Sequence, residues 1–224
     1  MPTSTVENYT KQIFLLQESQ AGERSPLVAM GDLAAALAVV PGTATSMIKT
    51  LADAGLVDYE PRAGVRLTDK GEKLALHVLR RHRLVELFLV RILGMDWSEI
   101  HDEAEQLEHV ISDRVMERID ALLGHPKADP HGDAIPDAAG AVPKRRLVAL
   151  SEMALGRRVV VGRIVDQAEP FLQFIDQQEL RPGRRVEVIA RDENAGMLRV
   201  RLDNRREVSL GTSAAAKIEV ESRS

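Results

Sequence analysis

The run His101-Asp102-Glu103-Ala104-Glu105-Gln106-Leu107-Glu108-His109 packs two imidazoles and four carboxylates into nine residues. At about 100° per residue, His101, Glu105, Glu108 and His109 fall on one stripe of a helix. His82 and Glu86, spaced i and i+4, project together from an earlier helix. Imidazole nitrogens and carboxylate oxygens presented across two facing helices are the donors from which metal sites in helical bundles are built. The same residues also suit a solvated acidic face, because charged i,i+4 pairs are ordinary on exposed helices. Position does not separate the two readings. The stripe lies roughly 90–100° from the centre of an apolar one (Ile100, Ala104, Leu107, Ile111, Val115, Ile119 and Leu122), at the margin of a core. His77, His82, His101 and His109 are four of the six histidines, so this chemistry is concentrated in one region.

The elements that must hold these residues form a mainly α chain with a small all-β domain. Residues 1–72 read as a winged helix-turn-helix, 73–140 as a helical domain that carries the candidate metal ligands, 141–150 as a linker and 151–224 as a small β-barrel. In the winged region, helices are expected over 5–20, 30–38 and 42–54, with a turn over 20–26 and Gly55 as a helix stop. Two short strands follow around the turn Pro61-Arg62-Ala63-Gly64. The helical region opens with a helix from Lys73 to Leu93. Another is expected from a capping box at Asp96 and Glu99 to Leu123, stopped by Gly124. His125, His131 and Asp133 lie in a Pro- and Gly-bearing segment that reads as a loop shaped by turns rather than as a further metal site. Across the C-terminal region, short strands begin at Leu147, Arg158, Arg185, Met197 and Arg206, and a single helix covers 169–177.

A helix-turn-helix places the start of its second helix in the major groove, and the wing contacts the backbone. Pro41, Gly42, Thr43, Thr45, Ser46 and Lys49 are the candidate DNA contacts on that helix, with Arg62 and Arg66 on the wing. Thr and Ser here also serve as simple helix caps, so DNA binding is read from the module rather than from any one hydroxyl.

Composition sets bounds on function. There are no cysteines, which excludes disulfides, thiolate zinc sites and cysteine nucleophiles. Aromatic residues make up 3%, too few for base-stacking platforms. No signal peptide and no apolar run near ~20 residues is present, so a cytoplasmic protein with no membrane partner is expected. A net charge of −4, with six Lys/Arg against nine Asp/Glu in residues 1–72, sits badly with a phosphate-binding role. Bound divalent cations would offset it.

With those residues in view, the whole chain resembles the diphtheria toxin repressor family of metal-dependent transcriptional regulators. It looks most like the manganese-responsive branch with a C-terminal SH3-like domain. The likeness is carried by Leu37-Ala38-Val39-Val40-Pro41-Gly42-Thr43-Ala44-Thr45, by Arg80-Arg81-His82-Arg83-Leu84-Val85-Glu86, by the His101–Asp113 segment and by Asp129-Pro130-His131-Gly132-Asp133-Ala134-Ile135-Pro136. The resemblance implies a primary metal site of Glu105, Glu108 and His109 with Asn8 from the first helix. Asn8 is neutral where the family carries Asp or Met, and Lys11 stands where some relatives have a further acid. It implies an ancillary site of His82, Glu86 and His101, with Asp166 and Glu169 from the barrel. Oxygen donors at Glu105 and Asn8, where iron-responsive relatives carry Cys and Met, favour Mn²⁺, with Fe²⁺ the alternative.

The expected function is therefore a metal-activated repressor of metal uptake genes. It would bind a double-stranded operator as a homodimer, through the apolar faces of residues 87–123, and is not an enzyme. Two heads would meet half-sites ~34 Å apart or a multiple of that. The competing readings are a winged-helix regulator with an organic effector and a structural acidic cluster, a di-metal hydrolase, and an adaptor built on the barrel. The hydrolase needs an open coordination position and a cleft, and no nucleophile or phosphate-binding loop accompanies the cluster. No small-molecule substrate is expected.

Overall fold

A computed structural model describes residues 2–20 and 26–222, so most of the turn expected over 20–26 lies outside the described residues. The chain divides into two compact units, Met1–His82 with Pro136–Ala141, and Arg83–Ile135 with Val142–Ser224.

The first unit is a winged helix-turn-helix. It comprises α1 (Ser4–Ser19), α2 (Met30–Ala36), α3 (Pro41–Asp53), the strands β1 (Val57–Glu60) and β2 (Gly64–Leu67), and the opening turns of α4 (Asp69–Arg91). Thr3 caps α1 by accepting from the Val6 N–H, and Pro41 opens α3, where a missing N–H costs nothing. Gly55 leaves α3 at φ +68°, a conformation that strains residues bearing a Cβ. Tyr9, Ile13, Leu33, Ile48, Leu51, Val57 and Val65 share one core. Burying each large aliphatic side chain there contributes about 1.5–3 kcal/mol. Gln17 ties α1 to the wing, its Oε1 accepting from the Leu67 N–H at 3.3 Å. Gly71, in the first turn of α4, fits because a Cβ there would collide with the carbonyl oxygen of Leu56. The wing is an antiparallel hairpin with Val57 opposite Leu67, and Arg62 sits at its tip with φ +71°.

The second unit holds the rest of α4, α5 (His101–Leu107), α6 (Asp113–Leu122) and the β domain. The single helix expected from the 96–99 region to Leu123 is two helices. Ser112 caps a fresh start by accepting from the Val115 N–H at 3.4 Å, and the chain turns through 108–111. Asp96 and Ser98 build a turn instead of a helix cap: Asp96 Oδ1 accepts from the Ser98 N–H at 2.8 Å and hydroxyl at 2.6 Å. The break divides the expected apolar stripe. Ile100, Ala104 and Ile119 are buried with Leu84, Leu87 and Met116, whereas Val115 and Leu122 are exposed.

The β domain is one antiparallel sheet in the order β3-β8-β4-β5-β6-β7, from β3 (Leu147–Ala149), β4 (Arg158–Ile164), β5 (Arg185–Asp192), β6 (Met197–Leu202), β7 (Glu207–Gly211) and β8 (Ile218–Ser222). The helix α7 (Glu169–Gln177) and the short α8 (Thr212–Ala215) complete it. Strand β8, which lies inside the sheet, is absent from the sequence expectation. The expected linker ends early, because Leu147–Ala149 already pairs with β8. Trp97 joins the core of this domain with Val159, Ile164, Leu172 and Val188. No single described helix is long and apolar enough to cross a membrane.

Candidate metal centre and nucleic-acid interface

In the second unit His101, Asp129 and His131 gather around Glu86, which α4 holds 1% exposed. His101 approaches it from the start of α5, with Nδ1 3.7 Å from Glu86 Oε1, and also lies 3.9 Å from Glu105 on its own helix. Glu108 is fully buried at the C-terminal cap of α5, and the His109 Nε2 lies 3.4 Å from its Oε1. His109 therefore belongs to the turn after α5 rather than to a continuous helical stripe. His82 is buried one helical turn before Glu86 on α4.

The third side of Glu86 is closed by residues that the sequence pattern assigns to a plain loop. His131 and Asp129 are buried, and with Glu86 they form a set whose ligand atoms all lie within 4.8 Å of one another. His131 Nε2 lies 2.9 Å from the carbonyl oxygen of Trp97, and its Nδ1 lies 3.9 Å from Glu86 Oε2. A carbonyl only accepts, so Nε2 carries the proton and Nδ1 presents a bare lone pair toward the carboxylates. That Nδ1 is buried with no hydrogen-bond partner. The turn reading of this segment is correct as far as it goes. Asp129 Oδ1 accepts from the His131 N–H at 2.8 Å and the Asp133 N–H at 2.9 Å. Its other oxygen faces Arg83 at 3.9 Å. The signal in the sequence is three potential ligands within Asp129-Pro130-His131-Gly132-Asp133; the surrounding turn formers obscure it.

Burial pushes the Asp129 carboxyl well above the usual carboxylate range, and the charges of Asp133 and Glu86 add to the rise, with Arg83 opposing. Asp133 has its own cations and donors. Arg163 Nε lies 2.7 Å from one oxygen, and Gln167 Nε2 donates to the other at 2.6 Å. Two buried carboxylates beside an imidazole with a free lone pair form a donor set that fits a divalent cation. Without thiolate or thioether among these donors, the set is oxygen-rich and hard.

The remaining expected ligands are placed differently. The Oδ1 of Asn8 on α1 is buried with no hydrogen-bond partner among the described residues. Lys11, one turn on, is buried. Asp166 is engaged by Lys217 Nζ at 2.7 Å and by the Ala168 N–H at 3.0 Å; the lysine hydrogen bond leads in holding its carboxyl below the ordinary value. Glu169 lines an open cleft with Ser98, Glu99, His101 and Asp102, and accepts from Gln173.

On the winged helix, Pro41, Gly42, Thr43, Ser46 and Lys49 are exposed on α3, as a reading helix requires. Thr45 is half-buried, and its hydroxyl donates to the Pro41 carbonyl at 2.9 Å, which commits its proton to the helix. Arg62 is exposed at the wing tip. Arg66 instead faces two acids of β1, 3.3 Å from Asp58 and 3.6 Å from Glu60.

Comparison with known proteins finds matches over each of the three regions. Residues 1–65 match the iron dependent repressor N-terminal DNA binding domain, and 68–137 match the iron dependent repressor metal binding and dimerisation domain. Residues 148–222 match the FeoA domain. The HTH-type transcriptional regulator MntR of Lysinibacillus sphaericus is 37% identical over 123 residues, covering 55% of this chain and 84% of the relative. A solved manganese-dependent transcriptional repressor in complex with manganese is 41% identical, covers 97% of this chain and 100% of its own, and superposes with a TM-score of 0.86. The structure of ScaR with bound Cd²⁺ is 32% identical, covers 99% and 100% of the two chains, and gives 0.77. A winged helix, a helical segment rich in buried carboxylates and imidazoles, and an SH3-like β domain thus follow one another in matching order over nearly the full length, and the chain belongs to the iron-dependent repressor family of metal-dependent, DNA-binding transcriptional regulators, the diphtheria toxin repressor family.

Proposed function

We propose that this chain is a Mn²⁺-activated repressor that acts in the cytoplasm as a homodimer on a duplex operator. The observation that carries the reading is the buried, oxygen-rich donor set around Glu86, in which His131 presents a lone pair that no hydrogen bond uses. Glu105, Glu108 and His109, with the orphaned Oδ1 of Asn8, are proposed as the primary ligands. Glu86 with His82 and His101, and with Asp129 and His131, would hold an ancillary cation, with Asp166 and Glu169 nearby on the barrel. A divalent ion bound there would add positive charge beside these buried carboxylates.

The chain's own residues do the rest. Thr43, Ser46 and Lys49 meet base edges and phosphates in the major groove, and Arg62 meets a backbone phosphate from the wing. Ile92, Leu93, Val110, Val115 and Leu122 are large apolar side chains left 47–77% exposed. Side chains of this kind suit the apolar surface of a dimer interface. Two reading heads per dimer supply the phosphate contacts that one head with a net negative charge lacks.

The test is fluorescence anisotropy on DNA from the region upstream of the protein's own coding sequence, at fixed salt under anaerobic conditions, in chelator, Mn²⁺ or Fe²⁺. Specific binding that appears with Mn²⁺ and is lost in chelator is expected. Stronger activation by Fe²⁺ would move the reading to an iron-dependent repressor. Specific binding indifferent to metal would make the acidic cluster structural and point to an organic effector.

A further inference from the structure

We propose that Arg145 is a positioning residue for the Glu86–Asp129–His131 centre, and that the β domain, by clamping the loop that carries Asp129 and His131, sets the affinity of that centre for a divalent cation. The proposal rests on the metal-centre reading above.

Glu86 is delivered by a helix, but its two partners come from a loop with no regular structure of its own. Arg83 of α4 donates to the Ala134 carbonyl and faces Asp129 and Asp133; the backbone of His131 and Gly132 is held from the β domain. The His131 carbonyl accepts from the Ile164 N–H at 2.9 Å, so the loop pairs with the end of β4. The next carbonyl, that of Gly132, accepts from Arg145 Nη1 at 2.7 Å. The same guanidinium donates from Nη2 to the Gly162 carbonyl at 3.1 Å and from Nε to Glu221 Oε1 at 2.7 Å. Arg145 thus bridges the loop, β4 and β8 with three hydrogen bonds from one planar group, a geometry that lysine does not reproduce.

The two backbones meet where β4 is irregular. Its register with β8 shifts between Val161 and Arg163, which marks a bulge at Gly162. Gly132 has φ +90°, and a Cβ on it would collide with the carbonyl oxygen of Gly162. A Cβ on Gly162 would in turn meet the Leu147 side chain and the Arg145 guanidinium. Both glycines are therefore required for the close approach. The imidazole itself is fixed by the Trp97 carbonyl and by stacking on the Trp97 ring at 5.4 Å, and Trp97 is a member of the β-domain core. The 3.9 Å separation of His131 Nδ1 from Glu86 Oε2 is held on one side by α4 and on the other by this clamp. Ligand sites held by outer partners of this kind lose roughly 10–100-fold in metal affinity when one partner is removed.

The test uses the full-length chain. Mn²⁺ is titrated by calorimetry and counted by electron paramagnetic resonance for wild type, Arg145→Gln, Arg145→Lys and Glu221→Gln. His131→Ala serves as the reference that deletes the centre. Hydrogen exchange of residues 129–133 is followed in chelator. Arg145→Gln is expected to weaken the class of sites that His131→Ala removes by about tenfold. The other class should stay within about twofold, and exchange in the loop should quicken. Arg145→Lys, which keeps one donor on one carbonyl, is expected to fall between, and Glu221→Gln should show a smaller loss in the same class. Arg145→Gln binding at that class within about twofold of wild type overturns the proposal, as does an equal loss at both classes with a lowered melting temperature, the mark of a merely structural arginine. If Arg145→Gln does not fold, the selective loss or its absence is read from Arg145→Lys and Glu221→Gln. His131→Ala with wild-type stoichiometry and affinity would instead remove the centre itself, a failure of the underlying reading rather than of the clamp.

Discussion

His131 Nε2 lies 2.9 Å from the Trp97 carbonyl oxygen, and the two rings stack at 5.4 Å. A residue from a loop thus has its protonated nitrogen fixed by backbone and its other nitrogen aimed at two buried carboxylates. The arrangement costs stability when no cation is present, because Glu86 and Asp129 are then buried beside Asp133 with Arg83 and Arg163 as the nearby cations.

That cost predicts opposite effects on stability and binding for Asp129→Asn. The amide keeps an oxygen to accept from the His131 and Asp133 N–H groups and removes a desolvated negative charge. In chelator the variant should melt higher than wild type, by an amount corresponding to about 1 kcal/mol. In Mn²⁺ the order should reverse. Wild type saturated at a hundred times its dissociation constant gains about 2.7 kcal/mol, and the variant gains less. Thermal melts of both proteins with and without Mn²⁺ measure this; an unchanged order in the two conditions would sink it.

A second prediction concerns acid. Hydrogen bonds from the Ser98 hydroxyl and N–H hold Asp96 below the ordinary carboxylate value, with Arg181 adding a smaller pull. A carboxyl depressed in the folded state contributes stability above its unfolded value, near 3.8, and loses it as pH falls through the folded value. Ser98→Ala should therefore raise the Asp96 midpoint in a carbon-detected NMR titration and shrink its share of the acid-side loss of stability. The same midpoint in variant and wild type would contradict the assignment.

Legibility from sequence differs by element for physical reasons. Helix α7 and strand β6 have the expected bounds because each has unbroken periodicity and clear turn residues at its ends. The split between α5 and α6 is hidden because the apolar spacing carries straight through residues 108–112, and only the Ser112 cap marks the restart. Strand β8 alternates Ile218 and Val220 with Glu219 and Glu221, but its five residues follow a run of alanines with no Gly, Pro, Asn or Asp to mark its start. The ligand residues on helices are visible through i,i+3 and i,i+4 spacing. Asp129 and His131 are not, because a loop has no period, and their meeting with Glu86 depends on contacts 43 to 45 positions apart in the chain.

Gly71 offers a test in which two effects compete. Alanine within a helix is ordinarily better than glycine by about 1 kcal/mol. At this position the added Cβ would collide with the carbonyl oxygen of Leu56 and crowd the Leu67 side chain. Neither a backbone carbonyl nor a packed strand yields cheaply, so the collision should win. Gly71→Ala is expected to lower stability by about 1–3 kcal/mol, read from denaturant midpoints at an unchanged slope. A stabilised variant would show that the start of α4 can move away from the α3–β1 connection.

The wing separates two arginines that look equivalent in sequence. Arg62 stands exposed at the tip with φ +71°, whereas Arg66 lies against Asp58 and Glu60. Each phosphate neutralised by a protein cation contributes about −0.9 to the slope of log K against log salt on duplex DNA. A guanidinium already paired with two carboxylates brings little net positive charge to the DNA surface. Arg62→Ala should therefore reduce the magnitude of the slope by about 0.9 and weaken operator and unrelated DNA alike. Arg66→Ala should leave the slope nearly unchanged, and Asp58→Asn should steepen it by releasing the Arg66 charge. Anisotropy titrations in saturating Mn²⁺ across a series of salt concentrations measure all three. Equal slope changes for Arg62→Ala and Arg66→Ala would mean that the Asp58 and Glu60 pairs open on DNA, leaving the whole wing free to track the backbone.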